Sequence, residues 1–371
     1  MRTWAAAGAA VLAAGGAAAG GIEQTVFPVG ILFEPGGYAE FSLGRATPDV
    51  RGRQAVAIPV PGIGVSPEGA ASGDVAADPT LAALALKVAL SDRLDLALVV
   101  DSPVGADIAY PSGTGYILAG TRARVTSEAA TAVLKYRIDP AWSVYGGLRA
   151  QRGKGVAALS TGYTVASDRP TDMGLLVGAA FERPAIAMRL SVTYESAIRH
   201  RFRALENGQP TAPFTTEVPQ ALTLNAQTGV AGDTLLFGSL RWRDWSAFEI
   251  APPGLLAATG EALVAYDGDT VTATLGLGRR FSDTWSGAVR LTRNGGMGGL
   301  ASNLSPVDGY TGLGLGLTYT QGPVKVTGAL SYTRFDSIRT RAFAPLPEGS
   351  PLSDFRDNEA IGAGLSVAFT F

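Results

Sequence analysis

Leu84, Leu86, Val88 and Leu90 alternate with Ala85, Lys87 and Ala89, a turn follows at Ser91-Asp92-Arg93, and Leu94, Leu96, Leu98 and Val100 resume the alternation. Successive side chains of a β-strand point to opposite faces, so period-two spacing predicts a strand with two unlike faces. The same unit recurs around Asp139-Pro140, Arg183-Pro184, Ala231-Gly232-Asp233, Ser282-Asp283 and Gln321-Gly322-Pro323, each reading as a hairpin with a short connection. Longer segments rich in Gly, Pro, Ser and Asp separate these hairpins at approximately 49–79, 102–120, 153–172, 201–217, 246–269, 294–309 and 336–357. Six short turns alternating with seven long loops predict an all-β fold, an up-and-down antiparallel transmembrane barrel of about fourteen strands. Helical periodicity with caps is almost absent.

The chain ends agree with this reading. The last eight residues, Gly364 to Phe371, alternate apolar with small or polar side chains and stop on an aromatic, as the closing strand of an outer-membrane barrel does. Met1-Arg2, the apolar stretch Trp4 to Leu12 and Ala17-Ala18-Ala19 read as a signal peptide spanning residues 1–19. No later run approaches the roughly 18 apolar residues that a membrane helix needs. A bacterial outer membrane is the expected address, with short turns and both chain ends on the periplasmic side. Trp142, Trp285, Tyr136, Phe181, Phe281 and Tyr319 are placed for a periplasmic aromatic girdle, and Tyr194, Trp242, Tyr332 and Phe335 for the outer one.

Alternation also assigns faces. In the strand from Trp142, Val144, Gly146, Leu148 and Ala150 face lipid, which turns Tyr145, Arg149 and Gln151 inward. Met188, Leu190 and Val192 likewise put Arg189 inside, and Val289 with Leu291 puts Arg290 inside. Arginine facing lipid at the midplane costs about 2–4 kcal/mol, so the lumen is the favoured side. Residues 20–37 precede the first expected strand, Tyr38 to Ala46, and are too apolar to hang in water. With Phe27, Ile31 and Phe33, beside Val26 and Leu32, they read as a short hatch inside a barrel of residues 38–371. This hatch either gates the barrel or only plugs it.

The outer loops are apolar too. Phe214, Phe248, Ile250, Leu255 and Leu256 are candidates for a ligand-binding groove, with Met297, Leu300, Phe343, Leu346, Leu352 and Phe355 in neighbouring loops. Packing of loop on loop is the alternative. His200, the single histidine, lies in Arg199-His200-Arg201 and reads as a solvated loop-base residue with no nucleophile pattern beside it. No enzyme activity, metal or cofactor is expected. The chain has 371 residues, no cysteine and a formal net charge of −2. Near-neutral charge gives no general reason to hold nucleic acid, and absent cysteine excludes disulfides and thiolate metal sites.

Ordered landmarks run along nearly the whole mature chain: Pro48-Asp49-Val50, Ser91-Asp92 and then Ser102-Pro103-Val104-Gly105, Asp139-Pro140-Ala141-Trp142-Ser143, and Val218-Pro219. They continue through Leu240-Arg241-Trp242-Arg243-Asp244-Trp245-Ser246-Ala247-Phe248, Ser282-Asp283-Thr284-Trp285 and the terminal Phe371. In these the chain resembles the outer-membrane long-chain fatty-acid transporters of the FadL type. The resemblance implies passive transport of long-chain fatty acids or similar hydrophobic molecules through a hatch-gated fourteen-stranded barrel, with capture in an outer groove and lateral exit. It also implies outer-membrane lipid and lipopolysaccharide as surroundings, and the barrel-assembly machinery as a partner of the C-terminal strand. The hatch is shorter than the family's and lacks its Asn-Pro-Ala motif. Arg149, Arg189 and Arg290 either meet a fatty-acid carboxylate or pair with lumen acids such as Glu182 or Asp95. The alternative function is a diffusion porin for small polar solutes.

Overall fold

The computed structural model describes residues 22–60, 64–343, 346–347 and 349–371. The signal-peptide reading lies outside the described residues, as do the first two positions of the expected hatch. Fourteen antiparallel strands form the barrel. In chain order they are β1 (Tyr38–Asp49), β2 (Thr80–Ala89), β3 (Leu94–Asp101), β4 (Arg122–Arg137), β5 (Trp142–Ala158), β6 (Thr171–Arg183) and β7 (Met188–Glu195). The second half comprises β8 (Ala221–Ala231), β9 (Thr234–Arg243), β10 (Thr270–Arg280), β11 (Trp285–Asn294), β12 (Tyr310–Gln321), β13 (Val324–Phe335) and β14 (Glu359–Thr370). Each strand pairs with the next, and β1 closes on β14 from Tyr38↔Thr370 to Asp49↔Glu359. Closure pairs the first strand with the last, so neither is left as a free sheet edge, which a hydrocarbon environment would penalise.

The six short turns fall where the hairpin pattern places them, and seven long connections occupy the other end. β1 extends three residues beyond the expected Ala46. On β12, Leu313, Leu315 and Leu317 are exposed outside while Gly312, Gly314 and Gly316 face in. This alternation, repeated around the barrel, makes a continuous apolar outer belt suited to lipid rather than water. Among the described residues no helix is long and apolar enough to cross a membrane. At the turn end Trp142 packs on Phe181 and Trp285 on Tyr319, each pair with ring centroids 5.0 Å apart. Phe335 does not join the outer girdle. It lies three positions from the outward Tyr332, an odd offset that turns it inward, and it is buried among the loops.

Inside the barrel, aromatic rings cover glycines on neighbouring strands. A Cβ on Gly178 would lie 2.4 Å from the Tyr145 ring and 2.3 Å from the Val192 carbonyl oxygen. The Tyr145 hydroxyl reaches over that gap to the Val192 carbonyl at 3.0 Å and to Thr193 Oγ1 at 2.7 Å. Gly178→Val should therefore push both ring and strand, lowering the unfolding free energy by about 1–3 kcal/mol. Urea titration of the barrel in lipid checks this; an unchanged midpoint would show that the wall yields freely.

The long connections form cores of their own. Leu352 and Phe355 are fully buried with Val75, Tyr110 and Tyr116, and Phe343 and Leu346 pack against them. These loop residues thus serve loop-on-loop packing rather than a groove. A separate cluster joins Trp245, Phe248, Tyr266, Val218 and Leu304 to Ile22 and Val104 at the lumen's outer end.

Candidate hydrophobic conduit

The N-terminal segment enters the lumen and is held at both of its ends. A short 3-10 turn, Val29–Phe33, lies between Pro28 and Pro35. Phe27, Ile31 and Leu32 pack into the wall made by Ala97 and Val99 of β3, Val133 of β4, Tyr145 of β5, and Leu176 and Ala180 of β6. Phe33 is held differently, with Arg189 4.1 Å and Lys135 4.5 Å from its ring centre, an arrangement in which cations face the ring's negative π-cloud. Toward the turn end, Lys87 Nζ donates to the Glu34 carbonyl at 2.6 Å and the Gly36 carbonyl at 2.7 Å, while Lys135 Nζ donates to the Leu32 carbonyl. Asp95, fully buried, offsets Lys87, Lys135 and Arg137 together. Toward the loop end, Glu23 accepts Arg241 at 2.8 Å and also Arg243. Glu195 bridges Arg241 at 2.7 Å to Arg149 at 2.9 Å. Charges removed from water this completely persist only when paired, so these clusters define where the segment sits.

Because the segment packs on β3–β6, it fills one side of the lumen only. The other side holds a cavity of about 460 Å³ between the segment and a wall that carries Thr223, Asn225, Ser239, Thr274, Ser331 and Thr333. A further space of about 350 Å³ opens beneath Phe33 among Lys87, Asp95, Lys135 and Arg137 at the turn end.

The wall itself is interrupted beside the segment. Pairing of β2 with β3 runs from Ala89↔Asp95 to Leu84↔Val100 and stops. After Ser102-Pro103-Val104 the chain resumes as a short strand, Gly105–Ala109, on β4. The N-terminal segment covers this break: Gln24 N–H donates to the Pro103 carbonyl at 2.8 Å, Gly105 N–H to the Ile22 carbonyl at 2.9 Å, and Glu23 bridges Val104. Ser127 of β4 holds Val104 from the other side, accepting from its N–H at 2.9 Å and donating to its carbonyl at 2.6 Å.

Ile22 and Val104 also floor an apolar cavity of about 90 Å³ at the loop end. Its walls are the outer halves of β4 and β5, a ribbon pairing Ile198–Phe202 with Phe214–Val218, and Phe248, Ile250, Leu263, Val264 and Tyr266. No protein-family model and no curated protein matches the chain. Among solved structures, a Pseudomonas aeruginosa FadL homologue superposes with a TM-score of 0.76 at 15% identity, over 92% of this chain and 92% of that one. The P. putida toluene transporter TodX gives 0.63 at 13% identity, over 96% and 97%. The Ralstonia pickettii toluene transporter TbuX gives 0.62 at 11%, also over 96% and 97%. The chain has the FadL-type fold.

In this FadL-type barrel the loop candidates divide. Phe214, Phe248 and Ile250 line the apolar cavity. Leu255 and Leu256 do not. They sit on helix α1 (Pro253–Thr259), which leads away after Pro252 and is held by Glu206, whose carboxylate accepts the Gly254 and Leu255 N–H groups at 2.8 Å each. Burial acts to raise the Glu206 pKa, but the Tyr163 hydroxyl and these two amides prevail and keep it below the ordinary carboxylate value. The three lumen arginines all point inward but into different surroundings. Arg149 is committed to Glu195 and Thr131, Arg189 to Glu182 and the Phe33 ring, and Arg290 lines the large polar cavity. Asp95 serves none of the three.

His200 departs furthest from its reading as a solvated residue. It is 2% exposed, its Nδ1 lies 2.9 Å from Asp172, and its ring lines the apolar cavity. The ribbon folds over the strand ends, and Phe202 and Phe214 of the same ribbon, 5.7 Å apart, cover it further. Flanking Arg199 and Arg201 alternate outward, which is what made the triplet look solvated.

Proposed function

We propose that this protein is a passive outer-membrane transporter of hydrophobic molecules, long-chain fatty acids or compact hydrocarbons. Solute is captured in the apolar cavity beneath the outer loops and released through the wall at Ser102–Val104 once the N-terminal segment moves as a hatch. The observation that carries this reading is that Ile22 both floors the cavity beside Val104 and covers the strand break, accepting the Gly105 N–H. Moving Ile22 would connect capture site and wall without sending an apolar solute through the charged lumen. No chemistry is required, because an apolar surface offered along the path lowers the barrier that the polar outer leaflet imposes. A cavity of about 90 Å³ corresponds to about three waters at liquid density. It fits a single ring or a short stretch of alkyl chain better than a fully enclosed acyl chain. The solved neighbours described as toluene transporters support the same class of cargo.

Gly155 supplies the test. It lines the cavity, and a Cβ placed on it would meet nothing within 4 Å, so a large side chain can enter the space without breaking the wall. Uptake of labelled toluene and oleate, with sucrose as polar control, is measured in cells lacking their own transporter. Wild type should take up a hydrophobic solute and exclude sucrose, and Gly155→Phe should reduce that uptake about tenfold or more while remaining folded. Sucrose uptake without either hydrophobe would favour the diffusion porin; unaltered uptake in Gly155→Phe would move the capture site elsewhere.

A further inference from the structure

Three polar atoms in the wall of the apolar cavity are buried without a hydrogen-bond partner: His200 Nε2, Thr216 Oγ1 and Gln151 Oε1. They are neighbours by construction. His200 stands directly opposite Thr216 in the ribbon, a pairing that brings Cβ atoms to about 5 Å. Gln151 stands directly opposite Asp172 across β5 and β6, and Asp172 holds His200 Nδ1. An orphaned buried polar atom costs about 1–3 kcal/mol. Three in one place, in a cavity whose exposed lining is mostly apolar, call for an occupant with its own polar atom.

We propose that this notch receives the hydroxyl of an apolar alcohol or phenol and makes the cavity selective for such molecules over the matching hydrocarbons. The inference rests on the capture-site reading above and specifies the ligand class. A carboxylate accepts from Nδ1–H, so the neutral imidazole presents a bare acceptor at Nε2. Burial pushes the His200 pKa below its ordinary value, and Asp172 only partly offsets this, so the ring is neutral at physiological pH. A ligand O–H can donate to Nε2 while its oxygen accepts from the Thr216 hydroxyl, leaving the hydrocarbon body against Phe214, Phe248 and Val104. An ionised carboxylate does not suit the notch, because two of its three atoms are acceptors and Asp172 stands behind.

The test is binding of 4-ethylphenol and 4-ethyltoluene, which differ by hydroxyl for methyl, to the full chain in lipid nanodiscs, with empty discs subtracting partition into lipid. Wild type should bind the phenol about tenfold more tightly, the size of one well-made hydrogen bond. His200→Leu and the isosteric Thr216→Val should each bring that ratio toward one. Equal affinities in wild type, or a preference that survives both substitutions, overturns the proposal and assigns the three atoms to fixed water. If neither compound binds wild type, or Gly155→Phe leaves both affinities unchanged, the capture-site reading falls as well.

Discussion

Deleting residues 22–36 is expected to turn a silent barrel into one that conducts ions steadily. The segment removes Phe27, Ile31 and Leu32 from water by packing them on β3–β6, and beside it a polar cavity of about 460 Å³ already exists. Without the segment, that cavity and the space of about 350 Å³ at the turn end become one water-filled lumen. The wall would tolerate this. Fourteen strands hydrogen-bond to one another rather than to the segment, and the lysines and arginines that held it would gain water in exchange. Planar-bilayer recordings give the readout, with heat-modifiable migration as the control for folding. Steady current in the deletion but not in wild type supports occlusion by the segment; a folded deletion variant that stays silent would show that the loops alone seal the barrel.

Asp95→Asn is expected to have the second large effect, through charge rather than shape. Asp95 is 0% exposed and sits among Lys87 at 3.6 Å, Lys135 at 3.5 Å and Arg137. Both lysines are almost wholly buried and spend their remaining N–H groups on carbonyls of the segment. Removing the Asp95 charge leaves three cations without their shared carboxylate, the neighbouring Glu182 and Glu34 being paired to Arg189 and Lys325, and breaking a buried ion cluster in this way costs about 3–5 kcal/mol. Part of that cost can be relieved if the segment loosens and water reaches the lysines. The expected result is therefore a lower unfolding midpoint together with faster hydrogen exchange at the Glu34 amide, which in wild type donates to the Ile31 carbonyl. A midpoint unchanged within error would mean that water already shields the cluster through the turn-end opening.

Much of the architecture was legible before any fold was seen. Period-two alternation at Leu84–Val100 and its recurrences, together with turns at Asp139-Pro140 or Ser282-Asp283, marked the strands and six short connections. Girdle positions followed where the offset was even and failed at Phe335, where it was odd. The site was less legible. Phe214, Phe248 and Ile250 could be picked by hydropathy, but Leu255 and Leu256 are as apolar and stand elsewhere because Glu206 anchors α1. His200 offered a misleading signal, two flanking arginines, and its true partner is 28 positions away.

What the sequence by itself determined is the barrel: which residues face lipid, which face the lumen, how many strands there are and how they connect. Those properties depend on local alternation and turn chemistry, and a bilayer would enforce them because every misplaced charge or unpaired backbone group in hydrocarbon is costly. Only the tertiary structure decided the interior. The pairing of Glu23 with Arg241, 218 positions away, the seating of Ile22 against the break at Val104, and the meeting of His200, Thr216 and Gln151 at one cavity depend on which strands closure brings face to face. No window of sequence encodes that proximity, since each of these contacts forms between elements whose separation along the chain carries no periodic signal.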